Sequence, residues 1–267
     1  MLKKILKGKT DSYVENHGLM GNADDYHIYH MKLIDYLIGF LIGFSLGFVV
    51  IMIFFRIIIL SAIVGVICGI PSIRFYRKYR KEKRQRELLI EFRDLLEALT
   101  TSYSSGKNTM EAFAESYQDL LSLYGEKSDI VNETRIIIAG MTNNIIIEDL
   151  LKDFAKRCGL DDVESFASTF ESGLRQGGDI KQVVWDSRKI INDKIEIEME
   201  IKTMLTEKEN ELNIMMVMPL VIMITLSGMG TMSAVANTPL TVIVKIFAIA
   251  LFAGAYMMGR KIINIRI

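Results

Sequence analysis

The stretch LIDYLIGFLIGFSLGFVVIMIFF (33–55) is apolar over 23 residues, with a single charge, Asp35, near its start. The hydrocarbon core of a bilayer is about 30 Å thick, a depth that about 20 helical residues cross. After Arg56, Ile57 to Ile73 add 17 uncharged residues. One straight helix over 33–73 would be about 61 Å long at about 1.5 Å per residue, twice what a bilayer absorbs. Two spans joined by a tight turn near Arg56 are therefore expected.

The other end of the chain repeats the pattern. Leu212 to Val244 holds no charge and is interrupted by Pro219 and Pro239. Ile214 to Ala236 would cross once. Asn237-Thr238-Pro239 would turn, because the residue before a proline is pushed out of the α region. Leu240 to Gly259 would return, carrying Lys245 close enough to one end for its ammonium to snorkel to water. This gives four spans: a hairpin over 33–73 and a second over 214–259, flanking a central region, 74–213.

Half of the 267 residues are hydrophobic, and 32 basic side chains balance 32 acidic ones. This excludes a disordered chain, a collagen-like fibre and a disulfide-stapled miniprotein. The neutral total hides a segregation: residues 74–87 carry 8 basic and 2 acidic side chains, whereas 88–213 carry 14 basic and 25 acidic. Arg74, Arg77, Lys78, Arg80 and Lys81 begin the basic cluster that follows the second span, Lys3 to Lys9 precede the first, and the tail 260–267 carries Arg260, Lys261 and Arg266. By the positive-inside rule both termini and the central region face the cytoplasm of a plasma (inner) membrane protein, with the basic cluster set against anionic lipid. Cys68 then lies in a membrane and Cys158 in a reducing compartment, so no disulfide is expected. The apolar stretch begins too late, runs too long and lacks the small-residue cleavage pattern of a secretory signal, so residues 1–32 read as a polar, poorly ordered cytoplasmic lead.

The central region has helical periodicity with regular breaks. Leu88, Leu89, Phe92, Leu95, Leu96 and Leu99 make one face of a first helix that stops at Ser104-Ser105-Gly106. Asn108 or Thr109 caps a second, with Glu111 placed for a capping box. Ser128 or Asp129 opens a third, ending at Gly140. Asn143-Asn144 precede a fourth, closed by Gly159. Asp161 opens a fifth, stopped by Gly177-Gly178, and Asp179 caps a sixth that runs to Pro219 and enters the membrane. The breaks at Gly106, Gly140 and Gly177 lie 34 and 37 residues apart, close to a tetratricopeptide period, but the signature Trp, Tyr and Pro of that repeat are missing. An all-α fold follows: six cytoplasmic helices between two membrane hairpins.

Particular residues carry a family likeness. Phe92-Arg93-Asp94-Leu95-Leu96-Glu97-Ala98-Leu99, Ser105-Gly106 and Met110-Glu111-Ala112-Phe113 resemble the opening hairpin of the type II secretion system F domain. Ile147-Glu148-Asp149-Leu150-Leu151 and Phe154-Ala155-Lys156-Arg157 resemble its middle segment, with Asn143-Asn144 where a glycine is common. Gln176-Gly177-Gly178-Asp179-Ile180, the long charged helix to Thr206-Glu207 and Pro219 are similar to its closing segment. The likeness covers about 74–259. One such domain, rather than two, is similar to the tight-adherence (Tad) pilus platform proteins TadB and TadC. The resemblance implies a plasma-membrane platform for protein secretion or pilus assembly. Its implied partners are a cytoplasmic assembly ATPase, pilin subunits, and a second F-domain membrane protein or further copies of itself.

No phosphate-cradling loop ending in Lys-Ser or Lys-Thr is present, so ATP hydrolysis is assigned to a partner. His27 and His30 with Asp24 and Asp25 have a spacing that could touch a metal, yet in a flexible lead they read as a solvated cluster. All three histidines lie within 17–30, so no Ser or Cys nucleophile has a convincing base. No catalytic residue, cofactor or nucleic-acid partner is expected. Gly39, Gly43 and Gly47, and Ser61, Gly65 and Gly69, are small residues four apart, the interval that lets membrane helices approach closely. They read first as the seam between the first two spans and second as a seam with a partner. Gly106, Gly177, Gly178 and Asp179 are helix stops and caps at hairpin tips and candidate partner contacts. Glu200 and Glu207 belong to an acidic helix face that is either hydrated or an electrostatic contact. The competing function is a multi-span signalling or transport protein, but a carrier would want several ionisable groups within its spans and only Asp35 and Lys245 are available, both near span ends.

Overall fold

The computed structural model describes residues 15–21, 23–29, 31–55, 57–228 and 239–263, and every regular element among them is a helix. In chain order these are α1 Leu33–Phe55, α2 Ile58–Ser104, α3 Thr109–Tyr124, α4 Asp129–Thr142, α5 Ile147–Cys158, α6 Asp161–Arg175, α7 Ile180–Gly228 and α8 Pro239–Ile263. Three helices have stretches long and apolar enough to cross a membrane: α1, α2, and Val242–Gly259 within α8. The span expected over Ile214 to Ala236 falls partly outside the described residues, and so do the turns expected at Arg56 and at Asn237-Thr238. Pro239 is the first residue of α8, a position where its missing N–H costs no intrahelical bond.

Three expected boundaries are corrected. α2 is continuous for 47 residues, so the apolar stretch and the first helix of the central region are one element; its basic residues are good helix formers and supply no breaker. α7 runs through Pro219 to Gly228, since an internal proline forfeits one backbone bond without ending a long helix. Gly140 does not stop α4, which continues to Thr142. An added Cβ at Gly140 would sit 2.4 Å from a Leu150 methyl, so this glycine admits α5 instead. Asp161 opens α6 as expected, with Leu160 at the N-cap position and no side-chain hydrogen bond there.

The chain forms two compact units. The first contains Arg74–Glu196 with the described part of Met1–Lys32. Its core gathers Leu88, Phe92, Leu95, Leu96 and Leu99 of α2 with Phe113 and Leu120 of α3, Ile130 and Ile137 of α4, Leu151 and Phe154 of α5, Phe166 and Phe170 of α6, and Val184 and Ile191 of α7. Phe92 is central: its ring lies 6.0 Å from Phe154 and 5.5 Å, edge-on, from Phe166. Burial of this many large apolar side chains, at about 1.5–3 kcal/mol each, is what holds the unit together. It ends at Glu196, and beyond Ile197 most side chains of α7 are exposed.

The expected poorly ordered lead is instead folded in residues 15–21 and 23–29. Tyr26 is 3 % exposed within the core, and Asp25 and Ala23 are buried too. Asp25 accepts from the backbone N–H of Asn16 and His27, which folds the segment on itself. The N–H of Tyr26 donates to the carbonyl of Arg157 at the end of α5. Polarity alone suggests a poorly ordered segment; the burial of Tyr26 in the core decides otherwise.

The second unit contains Leu33–Ile73 and the described parts of Ile197–Ile267. Here α1 lies against the first part of α2 through small residues. A Cβ on Gly43 would meet Ser72 Cβ at 2.5 Å, and one on Gly47 would meet Cys68 at 3.1 Å. Phe44 covers Gly65 and Phe40 covers Gly69, while Gly39 and Ser61 are also buried. In hydrocarbon, where there is no hydrophobic gain from association, such close backbone approach supplies the dispersion energy that holds helices together.

Candidate functional site

The first unit is two-ended, and the turns sort themselves between the ends. The Arg188–Glu97 pair, at 3.0 Å, joins positions nine residues before Gly106 and nine after Asp179. The Lys152–Glu171 pair joins the middle of α5 to the last third of α6, setting the two helices antiparallel. Gly140 at the end of α4 meets Leu150 near the start of α5, and Gly173 near the end of α6 meets Ile180 and Val183 of α7. Three connections, 105–108, 143–146 and 176–179, therefore share one end. The opposite end holds the connections 125–128 and 159–160, marked by Ser128 on Glu91, Arg84 on Asp129, Gln85 on the Cys158 carbonyl and Lys194 on Asp162. Helices of 12–16 residues separate the two ends by about 20 Å at 1.5 Å per residue. The chain enters the unit at Arg74 and leaves it at Glu196, both on the side opposite the three turns.

Each turn is fixed locally. Asn108 Oδ1 accepts from Glu111 N–H at 2.9 Å and Glu111 accepts from Asn108 N–H at 3.2 Å, a complete capping box. Asp179 Oδ1 accepts from the N–H groups of Lys181 and Gln182. Gly106 and Gly177 have φ of 79° and 66°, and Asn144 takes φ 60° in the turn between α4 and α5. Gly106, Asn143, Asn144, Ile146, Gly177, Gly178 and Asp179 are all exposed. The Lys107 ammonium beside Glu115 holds that carboxyl below the usual carboxylate range, with Ser102 donating a second hydrogen bond. The result is an exposed surface of hydroxyls, amides and backbone, with Lys107, Glu111 and Asp179 as its charges.

Of the residues singled out in the sequence, this surface collects Gly106, Gly177, Gly178 and Asp179. Glu200 and Glu207 are exposed on the part of α7 that belongs to the second unit. Gly43, Gly47, Gly65 and Gly69 meet across the α1–α2 seam, and Gly39 and Ser61 are buried. The basic cluster divides. Arg77 Nε donates to Met31 Sδ at 3.3 Å, Arg80 donates twice to the Tyr29 hydroxyl, and Arg84 bridges Asp24 and Asp129, whereas Arg74 and Lys78 are exposed and Lys81 is half-buried.

The feature not foreseen is a buried ion pair beneath the N-terminal segment. Arg157 and Glu133, each 1 % exposed, face each other through two hydrogen bonds of 2.7 Å. Arg157 also donates to Asp153 and to the Asp24 carbonyl, and the Tyr26 hydroxyl donates to Glu133. Burial pushes the Glu133 carboxyl up while Arg157 pulls it down. The guanidinium stays charged, its cost of burial outweighed by Glu133 and Asp153. A signal existed: Glu133 and Arg157 sit among Ile130, Val131, Thr134 and Ile137, and Phe154, Ala155 and Cys158, all buried positions of their helices. Clefts of about 390 and 360 Å³ flank the segment, the first lined by Met20, Asp24, Tyr26, Asn132, Glu133 and Arg135 among others, the second by Leu19, Ile145 and Asp149 among others. Asp25, Asp24 and His27 are engaged in holding the segment, with His30 outside the described residues. No group of three or more His, Cys, Asp or Glu able to hold a metal occurs among the described residues. No family model, curated protein or solved structure matches the chain.

Proposed function

We propose that the chain is a plasma-membrane platform of a filament-assembly or secretion machine, with the first unit and both termini cytoplasmic. Its work is contact: it couples the motion of a cytoplasmic ATPase to the handling of pilin subunits, alongside a second membrane protein of its own type or further copies of itself. The reading joins the likeness to the type II secretion F domain with one structural observation. Three turns, two of them closed by the side-chain caps Asn108 and Asp179, form a single exposed surface at the opposite end of a helical unit from its chain connections. Force applied there is transmitted along α2 and α7, which run unbroken for 47 and 49 residues.

A photo-crosslinking residue placed at Gly106 or Gly178 in the full chain tests this in native membranes. The expected adduct is an assembly ATPase, with no adduct from a probe at Glu126 in the 125–128 turn. Capture of the ATPase from Glu126 alone, or normal filament assembly after deletion of the chain, contradicts the proposal.

A further inference from the structure

The exposed face of α2 just beyond its apolar stretch combines two kinds of side chain. Phe75 is 75 % and Tyr79 62 % exposed, and their spacing of four places them on one face of the helix. Arg74 and Lys78 are exposed beside them, with Lys78 3.7 Å from Glu82. The other face is covered: Arg77, Arg80 and Arg84 are bound by Met31, Tyr29, Asp24 and Asp129. The N-terminal segment thus engages Arg77, Arg80 and Arg84 on one face, while Arg74 and Lys78 are exposed beside the aromatic pair on the other.

Two large aromatic rings turned outward are costly on a helix in water. Depth explains them. α2 is unbroken from Ile58, so Phe75 and Tyr79 lie about 26 and 32 Å along the axis from its start at 1.5 Å per residue. That matches the far edge of an about 30 Å hydrocarbon layer, the level at which amphipathic aromatic side chains concentrate and basic residues meet lipid phosphate. We infer that Arg74, Phe75, Lys78 and Tyr79 form a docking site for the headgroup of an anionic phospholipid of the bilayer, the rings seated at headgroup level and the two cations on its phosphate. The inference rests on reading the first part of α2 as a membrane span.

The full chain carrying Trp185→Phe, which removes its one tryptophan, and Tyr79→Trp is reconstituted in nanodiscs of mixed phosphatidylglycerol and phosphatidylcholine, with one lipid brominated at a time. The expected result is at least twofold quenching by brominated phosphatidylglycerol and clearly less by brominated phosphatidylcholine. Arg74→Gln with Lys78→Gln abolishes that difference, and Arg77→Gln leaves it. Absence of quenching by either lipid in a helical, inserted protein overturns the site, as does equal quenching by both. Failure of the chain to insert at all contradicts the span itself, a separate result visible before any fluorescence is read.

Discussion

Arg157 is the largest fully buried side chain among the described residues, and its surroundings set what its loss costs. Arg157→Met strands the Glu133 carboxylate in the core, and removing one partner of a buried pair costs about 3–5 kcal/mol. Thermal denaturation of the full chain in detergent is expected to show a large fall for Arg157→Met, partly recovered when Glu133→Gln is added. Equal melting of Arg157→Met and the parent would remove the pair from the account. Cys158 lies beside this pair, and burial pushes its thiol up to about 12. Above pH 9 the unfolded chain ionises this thiol while the folded one keeps its proton, so stability falls as pH rises from 9 towards 12. Tyr26 acts with the same sign above pH 10, its hydroxyl raised by burial and by Glu133. In a Cys68→Ser background, maleimide at pH 8 should leave Cys158 unmodified until the chain is unfolded. At this scale the sequence was partly legible. Asn108 with Glu111 and Asp179 could be read as caps because capping is local, whereas Glu133 and Arg157 are 24 residues apart and neither announces the other.

Elements joined by short-range signals were the easiest to foresee. The heptad-like leucines of α2 and the small residues of α1 carry their period within a few turns, so the helix faces and the α1–α2 seam followed from spacing. What spacing omits is the absence of a break: nothing in a basic run says that one helix continues through it, and α2 does. The N-terminal segment was missed for the opposite reason, since its partners lie far along the chain, Asp24 and Arg157 being 133 residues apart. Gly159 ends α5 at φ 63°, and a Cβ there would lie 2.6 Å from His27 Nε2. Gly159→Val is therefore expected to release residues 15–29, raising their rate of cleavage by added protease at least tenfold while α3–α6 remain protected. Unchanged cleavage would show the segment to be held without that contact. In the second unit, Gly43→Leu drives a side chain into Ser72 and the Cys68 carbonyl. Overpacking of this kind costs about 1–3 kcal/mol, read as an earlier loss of the monodisperse peak on heating in detergent.

For the whole molecule, an all-helical chain with apolar helices at both ends was legible from hydropathy and period alone, because both are properties of composition over long windows. The convergence of the 105–108, 143–146 and 176–179 turns on one surface was not, since it depends on how α2 and α3–α7 pack. The role of that surface stands on its orientation in the cell. The most direct measurement is labelling of Gly106→Cys, in a Cys68→Ser and Cys158→Ala background, with a membrane-impermeant maleimide. The account predicts no labelling in intact spheroplasts and full labelling in inverted membrane vesicles; labelling in intact spheroplasts would place the turn surface outside the cell and contradict it.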